Sequence, residues 1–496
     1  MSHAAILPIL LPLAAAAVLV LLGGARRGVQ RAVSLVAMAG TLVASLALFL
    51  DACGGEPIVY RVGGWPAPFG IVLVVDRLSA AMLLLTDVVS LAALVHAATG
   101  ADARGKHFHV FLHLQICGVH GAFLTGDFFN LFVFFELLLI ASYALLLHGG
   151  GERRVRAGLH YVVLNLVGST IFLVGLGVLY GTTGALNMAH VAARVPELAG
   201  VDVGLARVAV ALLLLVFALK SGLVPLQFWL TRAYPAALPE VAASFSIMTK
   251  VGIYCIVRVL TLLPGVTLDV DRWLLPAALV AQLVAALGVI GSRSLGRLFA
   301  FLLVGSIGVM LTGVSLRGEP GALSATLFYL AHSTVAFAGA FLVAGCVARA
   351  RGGAGDRIER APLRGDQAIL GAIFAFSLVA VVGLPPLPGF AGKAALLAAV
   401  RPTGSGVGVF AVVLVSTLIG VVAAARAAST IFFGAKVEPG PTGPPVSRLP
   451  GPLLLLAATT GLAVFAAPVM TYTTLAAEQL VDSAAYVHAV LGGGGP

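Results

Sequence analysis

The sequence predicts an all-α, polytopic membrane protein of about fourteen transmembrane helices. Three observations lead there. Hydrophobic residues make up 60% of the 496-residue chain and charged residues only 10%, with a mean hydropathy of +1.07. Soluble domains carry roughly 25% charged residues, so this chain has too little polar surface to cover a body in water. The apolar residues come in runs long enough to cross a bilayer, which takes about 20 helical residues each. Lys and Arg cluster in alternate gaps between those runs: most odd-numbered gaps carry groups of them and the even-numbered gaps at most one each.

The runs lie at 4–22, 31–50, 72–98, 108–126, 128–147, 160–180, 207–230, 241–263, 274–291, 297–315, 321–348, 367–394, 406–432 and 450–472. The first has no basic segment before it and is followed by Arg26, Arg27 and Arg31, so it reads as a retained span and not as a signal peptide. Odd-numbered loops carry Arg104 and Lys106; Arg153, Arg154 and Arg156; Arg293 and Arg297; the arginines of 349–364; and Arg426, Lys436 and Arg448. Even-numbered loops carry Asp51, Glu56, Asp127, Asp269 and Asp271. Lys and Arg accumulate in cytoplasmic loops, which puts the odd loops in the cytoplasm and both termini outside. The formal net charge of +10 then reflects topology and not nucleic-acid binding. No soluble domain fits between spans, and "FGAKVEPGPTGPPVSRLP" before the last reads as a Pro/Gly-rich linker.

Cys53, Cys117, Cys255 and Cys346 are isolated, so no metal site or disulfide framework is expected. With no P-loop and no Rossmann glycine pattern, no cofactor is expected either, and energy must come from an ion gradient or from partner subunits.

Ionisable residues remain inside the spans: Asp87, Glu136, Lys220, Lys250, Arg258, His332 and Lys393. A charge at mid-bilayer costs about 2.5–3.5 kcal/mol on insertion scales, and such residues persist where they face a protein interior or a wet cavity. Glu136 is the ninth residue of its span, about 12 Å deep at 1.5 Å per residue, and is too short to snorkel. Lys220 and Lys250 fall midway along antiparallel neighbours, so their ammonium groups reach similar depth. Lysine suits a proton relay because burial can strip its charge, whereas arginine stays protonated. The bland reading is a Glu–Lys pair that glues helices together. Asp87 and Arg258 are weaker candidates, and Arg258 lies near enough to a helix end to snorkel. His332 titrates near neutral pH but also suits plain packing.

Two spans contain breaks. The seventh reads "FALKSGLVPLQFWL", with Gly222 and Pro225 just after Lys220; the twelfth reads "VVGLPPLPGFAGKAALL", with Pro385, Pro386 and Pro388 just before Lys393. Proline removes a backbone donor and disrupts the helix. Interrupted helices in corresponding halves point to an ion path and to inverted repeats. The expected repeats are spans 4–8 (108–263) and 9–13 (274–432), flanked by helices 1–3 (1–107) and a C-terminal helix and tail (450–496). An odd number of spans per repeat makes the two inverted.

These motifs resemble a known family. "GDFFNLFVFFELLLIASYALLLHGG" (126–150), "LKSGLVPLQFWLTRAYPAALPEVAASFSIMTKVGIYCIVRV" (219–259), "YLAHST" (329–334) and "LPPLPGFAGK" (384–393) are similar to the D subunits of the multisubunit Mrp/Pha-type monovalent cation/proton antiporters, which are related to the antiporter-like subunits of complex I. The resemblance implies a fold of fourteen helices with two inverted five-helix repeats in a bacterial plasma membrane. It also implies a relay of Glu136, its partner Lys220, the central Lys250, and the terminal Lys393, with His332 as a candidate link. Many complex I relatives place a lysine four residues after the histidine; here "HSTVAFAG" places Ala336, leaving that link to His332, water, Ser333 or Thr334. The tenth span, "RLFAFLLVGSIGVML", also lacks the polar signature of complex I relatives, and both departures favour the Mrp/Pha branch. The expected function is proton translocation within a Na+(K+)/H+ antiporter, with other membrane subunits, protons, monovalent cations and the lipid bilayer as partners. The alternative is a proton-pumping subunit of a redox complex.

Overall fold

The computed structural model describes residues 3–267, 269–364, 367–433 and 449–492. Lys436, Arg448 and nearly all of the expected Pro/Gly-rich linker lie outside the described residues. The helices in chain order are α1 (Leu7–Leu21), α2 (Arg27–Ala52), α3 (Arg77–Ala97), α4 (Phe108–Leu124), α5 (Phe128–Leu147), α6 (Glu152–Thr183), α7 (Met188–Arg194), α8 (Val201–Ser221), α9 (Phe228–Ala236) and α10 (Pro239–Phe245). They continue with α11 (Met248–Leu262), α12 (Asp271–Ile290), α13 (Leu295–Ser315), α14 (Ala322–Arg351), α15 (Gln367–Val382), α16 (Pro388–Val400), α17 (Gly406–Ala428), α18 (Pro450–Val464), α19 (Ala466–Val481) and α20 (Ser483–Leu491). The chain is a polytopic, all-α membrane protein. Among the described residues, 11 helices are long and apolar enough to cross a membrane, or 12 if the pair α18–α19, bent by 80°, counts as one. α4, α15 and α16 are apolar but shorter.

Every expected span falls on a helix or a broken helix pair, with differences at the ends. The third begins later than expected: Val72–Val75 is a β-strand, β2, paired antiparallel with β1 (Ile58–Arg61). Asp76 then caps α3, accepting from Ser79 N at 2.8 Å while its own N–H donates to Ser79 Oγ at 2.8 Å. Such a box satisfies donors that a helix start leaves orphaned. The seventh span breaks between α8 and α9, and the twelfth between α15 and α16. The eighth is interrupted at Ser246–Ile247, between α10 and α11.

The two long breaks share one backbone design. Gly222 (φ 81°) and Leu223 both donate to Ala218 O, at 3.1 and 3.0 Å. Gly383 (φ 80°) and Leu384 both donate to Val379 O, at 3.1 Å each. This closure uses a left-handed residue after the last helical turn, a conformation glycine adopts without strain. Two inter-helix connections also match. Phe128 N donates to Leu186 O at 2.8 Å while Met188 N donates to Gly126 O at 2.8 Å; Leu295 N donates to Asp356 O at 2.8 Å while Ile358 N donates to Arg293 O at 2.9 Å.

α10–α11 and α14 form the buried centre, and α14 packs against α3, α10, α13, α15, α16, α18 and α19. α1, α2, α8 and α17 turn large apolar side chains outward, among them Leu21, Val36, Val43, Val208, Val407 and Leu418. In water such a surface would aggregate; in a bilayer it is the lipid- or partner-facing rim.

Arg258 does not snorkel. It is 5% exposed, and its Nη2 lies 2.6 Å from Asp76 Oδ2 and 3.0 Å from the Tyr254 hydroxyl. The Tyr254 and Tyr486 rings each sit 5.2 Å from its guanidinium. One cation thereby ties α11 to the start of α3 and to α20. Removing the carboxylate strands a buried charge, so Asp76→Asn is expected to destabilise by about 3–5 kcal/mol. The check is a lowered apparent unfolding temperature of the detergent-solubilised protein; an unchanged temperature would show the pair to be dispensable.

Candidate functional site

The intramembrane residues expected to form a relay fall on the broken helices and on the helices packed against them. Lys220 is the penultimate residue of α8, immediately before the first break, and is 4% exposed. Its Nζ donates to Asn165 Oδ1 at 3.0 Å and to Asn165 O at 3.4 Å, and lies 6.0 Å from the Phe135 ring centroid. Glu136, half-buried on α5, accepts a short hydrogen bond from Ser169 Oγ. Glu136 is within electrostatic reach of Lys220, but the two are not in ion-pair contact. Both instead bind α6, one helical turn apart.

Lys250 is the third residue of α11 and fully buried; among the described residues its Nζ has no hydrogen-bond partner, and it lies 5.8 Å from the Phe337 ring centroid. What sets its position is a close helix approach. A Cβ on Gly252 would lie 2.6 Å from Ser221 N and 2.7 Å from Phe217 O, so only glycine lets α11 seat against the broken end of α8.

The second break gathers the other two groups. The last helical carbonyls of α15 have no donor within the helix. One of them, Ala380 O, accepts from Gly383 N at 3.1 Å and takes His332 of α14 as a second donor: His332 Nε2 contacts it at 3.1 Å, so that nitrogen carries the proton and donates. Lys393, on α16, uses another, donating to Val382 O at 2.8 Å and to Thr417 Oγ1 at 2.9 Å. A Cβ on Gly389 would lie 2.5 Å from His332 Nε2, a second approach that glycine permits. His332 is within electrostatic reach of both Lys250 and Lys393. Ser333, a candidate for the same link, instead faces Ser306 at 2.7 Å, and Thr334 Oγ1 donates back to Leu330 O at 2.8 Å. Lys393 borders a cavity of about 40 Å³ that also touches Gln282, Ser306, Tyr329 and Thr417, room for roughly one water. It also borders a wider groove of about 930 Å³ with Arg401.

Asn165, Ser169 and Thr417 belong to the site but do not stand out in the sequence. Uncharged polar residues in a span are cheap and common. The signal that could have found them is the i, i+4 spacing of Asn165 and Ser169 in "YVVLNLVGST", which puts both on one face.

This architecture, broken apolar helices converging on buried lysines, defines a class of ion-translocating membrane subunit. The family model described as "NADH:quinone oxidoreductase/Mrp antiporter, TM" matches residues 125–420, and the chain belongs to that family. Among relatives, the probable K+/H+ antiporter D subunit of Rhizobium meliloti (strain 1021) is 40% identical over 80% of this chain and 79% of its own length. The Na+/H+ antiporter D subunit of Alkalihalophilus pseudofirmus is 35% identical over 99% of this chain and 100% of its own. A chain of the Mrp complex from Dietzia sp. DQ12-45-1b superposes with a TM-score of 0.89 at 28% identity, covering 99% of this chain and 100% of that one.

The α8–α11 approach can be tested directly. Gly252→Ala drives a methyl into backbone atoms and is expected to cost about 1–3 kcal/mol. Gly177→Ala, on an α6 face with nothing within 4 Å, is the control and should be neutral or better. Thermal unfolding of the two variants checks this, and equal behaviour would contradict the close approach.

Proposed function

We propose that this chain is a proton-translocating membrane subunit of a multisubunit Na+(K+)/H+ antiporter, moving protons along Glu136, Lys220, Lys250, His332 and Lys393. The observation that carries the reading is the company the lysines keep. Lys220 and Lys393 hold only neutral acceptors, and among the described residues none of the three lysines pairs with a carboxylate within ion-pair distance. A structural Glu–Lys pair would set carboxylate against ammonium, and deprotonation would strand a buried anion. A lysine among carbonyls, amides and hydroxyls releases its proton and leaves a neutral site.

Glu136 acts on Lys220 from a distance that can change. With Lys220 drawn to Asn165 and Glu136 to Ser169, the two stand apart. If Lys220 swings toward Glu136, Coulomb attraction in the dry wall of Phe135, Phe172 and Phe217 holds the proton on it. Retreat to Asn165 frees that proton for Lys250. From Lys250 the proton passes by His332 to Lys393, and leaves by the cavities that border Lys393.

The matched breaks and matched connections support two repeats, 108–263 and 274–432, related by inversion, with 1–107 and 450–496 as flanking helices. The loop charges support odd-numbered loops in the cytoplasm and both termini outside. The chain acts as a secondary transporter subunit and not as an enzyme, so it works with other membrane subunits and exchanges protons for monovalent cations. The same family description covers subunits of redox enzymes; Fe–S or flavin proteins in the purified complex would favour that reading.

In vesicles containing the assembled complex, with Na+ and K+ compared, Glu136→Ala, Lys220→Gln and Lys393→Ala are each expected to abolish antiport while assembly persists. Antiport retained in all three variants would overturn the relay. Asn165→Leu should slow antiport by roughly tenfold or more, since hydrogen bonds to charged groups contribute about 1.5–3 kcal/mol.

A further inference from the structure

A second set of titratable groups lies on helices the relay does not use. α4 carries His109, His113, Cys117 and His120 at spacings of four, four and three, which places them on one face. From His109 to His120 that face rises about 16 Å at 1.5 Å per residue. All three histidines are buried, at 4%, 1% and 0% exposed. They face α1, α2 and α3, whereas Lys220 is held between α8 and α6.

The histidine row has a wet end and a dry end. At the wet end, a surface cavity of about 300 Å³ is lined by Arg27, Gln30, Asp102, Lys106, His107 and His109. Asp102 contacts His109 Nε2 at 3.3 Å and accepts from Arg31 Nε at 2.6 Å and Arg31 Nη2 at 2.8 Å. Burial pushes the Asp102 carboxyl up, but Arg31 and His109 outweigh it and hold it below its ordinary range. An anion thus stands at the mouth. One turn deeper, His113 Nε2 meets Ser34 Oγ of α2 at 2.7 Å. At the dry end, His120 and Asp87 of α3 are both 0% exposed, with His120 Nε2 3.2 Å from Asp87 Oδ1.

The tautomer at the dry end follows from its other contact. His120 Nδ1 lies 2.8 Å from Pro8 O, and a carbonyl only accepts, so Nδ1 carries a proton. In the neutral imidazole, Nε2 is then a bare lone pair facing a carboxylate. Both Asp87 oxygens and His120 Nε2 lack a hydrogen-bond partner among the described residues, because their contact lies off the hydrogen-bond direction. Without an added proton the site holds a buried anion with no donor, against a lone pair. One proton, on Nε2 or on Oδ1, makes the pair neutral overall and removes the uncompensated buried charge.

The surroundings leave this proton to the pair. α1 offers only the Pro8 carbonyl, and α2 the Ser34 hydroxyl with Arg31 at the mouth. Near the mouth, the His148 ring contacts Ala101 O. α10 meets α4 through Ser244 and Gln115, and α11 through the Tyr254 hydroxyl on Phe123 O, while Arg258 is engaged by Asp76. Farther along α3, Glu240 and Arg349 meet His96, at 3.7 and 2.6 Å. Among the described residues, Asp87 and His120 make no other ion pair.

We propose that the Asp87–His120 pair is a reversible proton-binding site in the N-terminal helices, loaded from the Asp102 cavity by way of His109 and His113, and separate from the lysine row. The step is one of proton transfer alone: a proton taken from water at the cavity is added at the pair, and nothing is oxidised or reduced.

The test is an infrared difference spectrum of the assembled complex between alkaline and acid buffer, which needs no transport and so stands or falls apart from the relay. The wild type should show a carboxyl–imidazole change that Asp87→Asn and His120→Gln each remove, with proton uptake reduced by one per chain in Asp87→Asn. The double variant Asp87→Asn/His120→Gln keeps a neutral pair and serves if a single variant fails to assemble. Spectra and uptake unaltered by these substitutions would overturn the proposal. So would the same spectral change produced at fixed pH by adding Na+ or K+, which would make the site a cation site.

Discussion

The fold depends on how buried lysines are solvated. An ammonium group inside a bilayer needs acceptors, and an intact helix offers few beyond its side chains, because its carbonyls already bond within the helix; Lys220 finds its own in Asn165 of α6, chiefly the amide oxygen at 3.0 Å. Breaking a helix frees its last carbonyls. The end of α15 supplies Val382 O to Lys393 and Ala380 O to His332, and α8 ends one residue after Lys220. The interruption between α15 and α16 is therefore one means by which charge is tolerated at depth, serving Lys393, and the Asn165 amide of unbroken α6 is another, serving Lys220.

That constraint organises the rest of the chain. α11 must lie against the end of α8, which needs Gly252, and α16 must lie against His332, which needs Gly389. α6 supplies Asn165 and Ser169 as neutral partners to Lys220 and Glu136. The periphery is free of such demands and is simply apolar. The Arg258–Asp76 pair is the opposite device: a cation fixed by a carboxylate, in a place where structure and not movement is wanted.

Much of this was legible in residues alone, because the long-range physics is simple. Apolar runs of span length mark the helices, and Gly222–Pro225 and Gly383–Pro388 mark the breaks to within a few residues. Short-range detail was less legible. "VLVVDRLSAA" reads as one apolar run, and only the pairing of Val72–Val75 with Ile58–Arg61 separates strand from helix. The 80° bend between α18 and α19 is announced only by Pro468, three residues past Phe465, whose missing N–H would have bonded Val464 O across the break. Partner choice was the least legible. Asp76 reaches Arg258 across 182 positions, and Asp87 reaches His120 only because α3 and α4 pack together. For Glu136 and Lys220, the resemblance named the pair, while the geometry inserts α6 between them.

The central claim is that Lys220 exchanges partners, with Asn165 on one side and Glu136 on the other. The most direct measurement is a pair of high-resolution cryo-electron microscopy structures of the assembled complex, one in acid and one in alkaline buffer. The account predicts that Lys220 Nζ lies against Asn165 in one and within ion-pair distance of Glu136 in the other. The same Asn165-bound lysine in both, with Ser169 still holding Glu136, would contradict it.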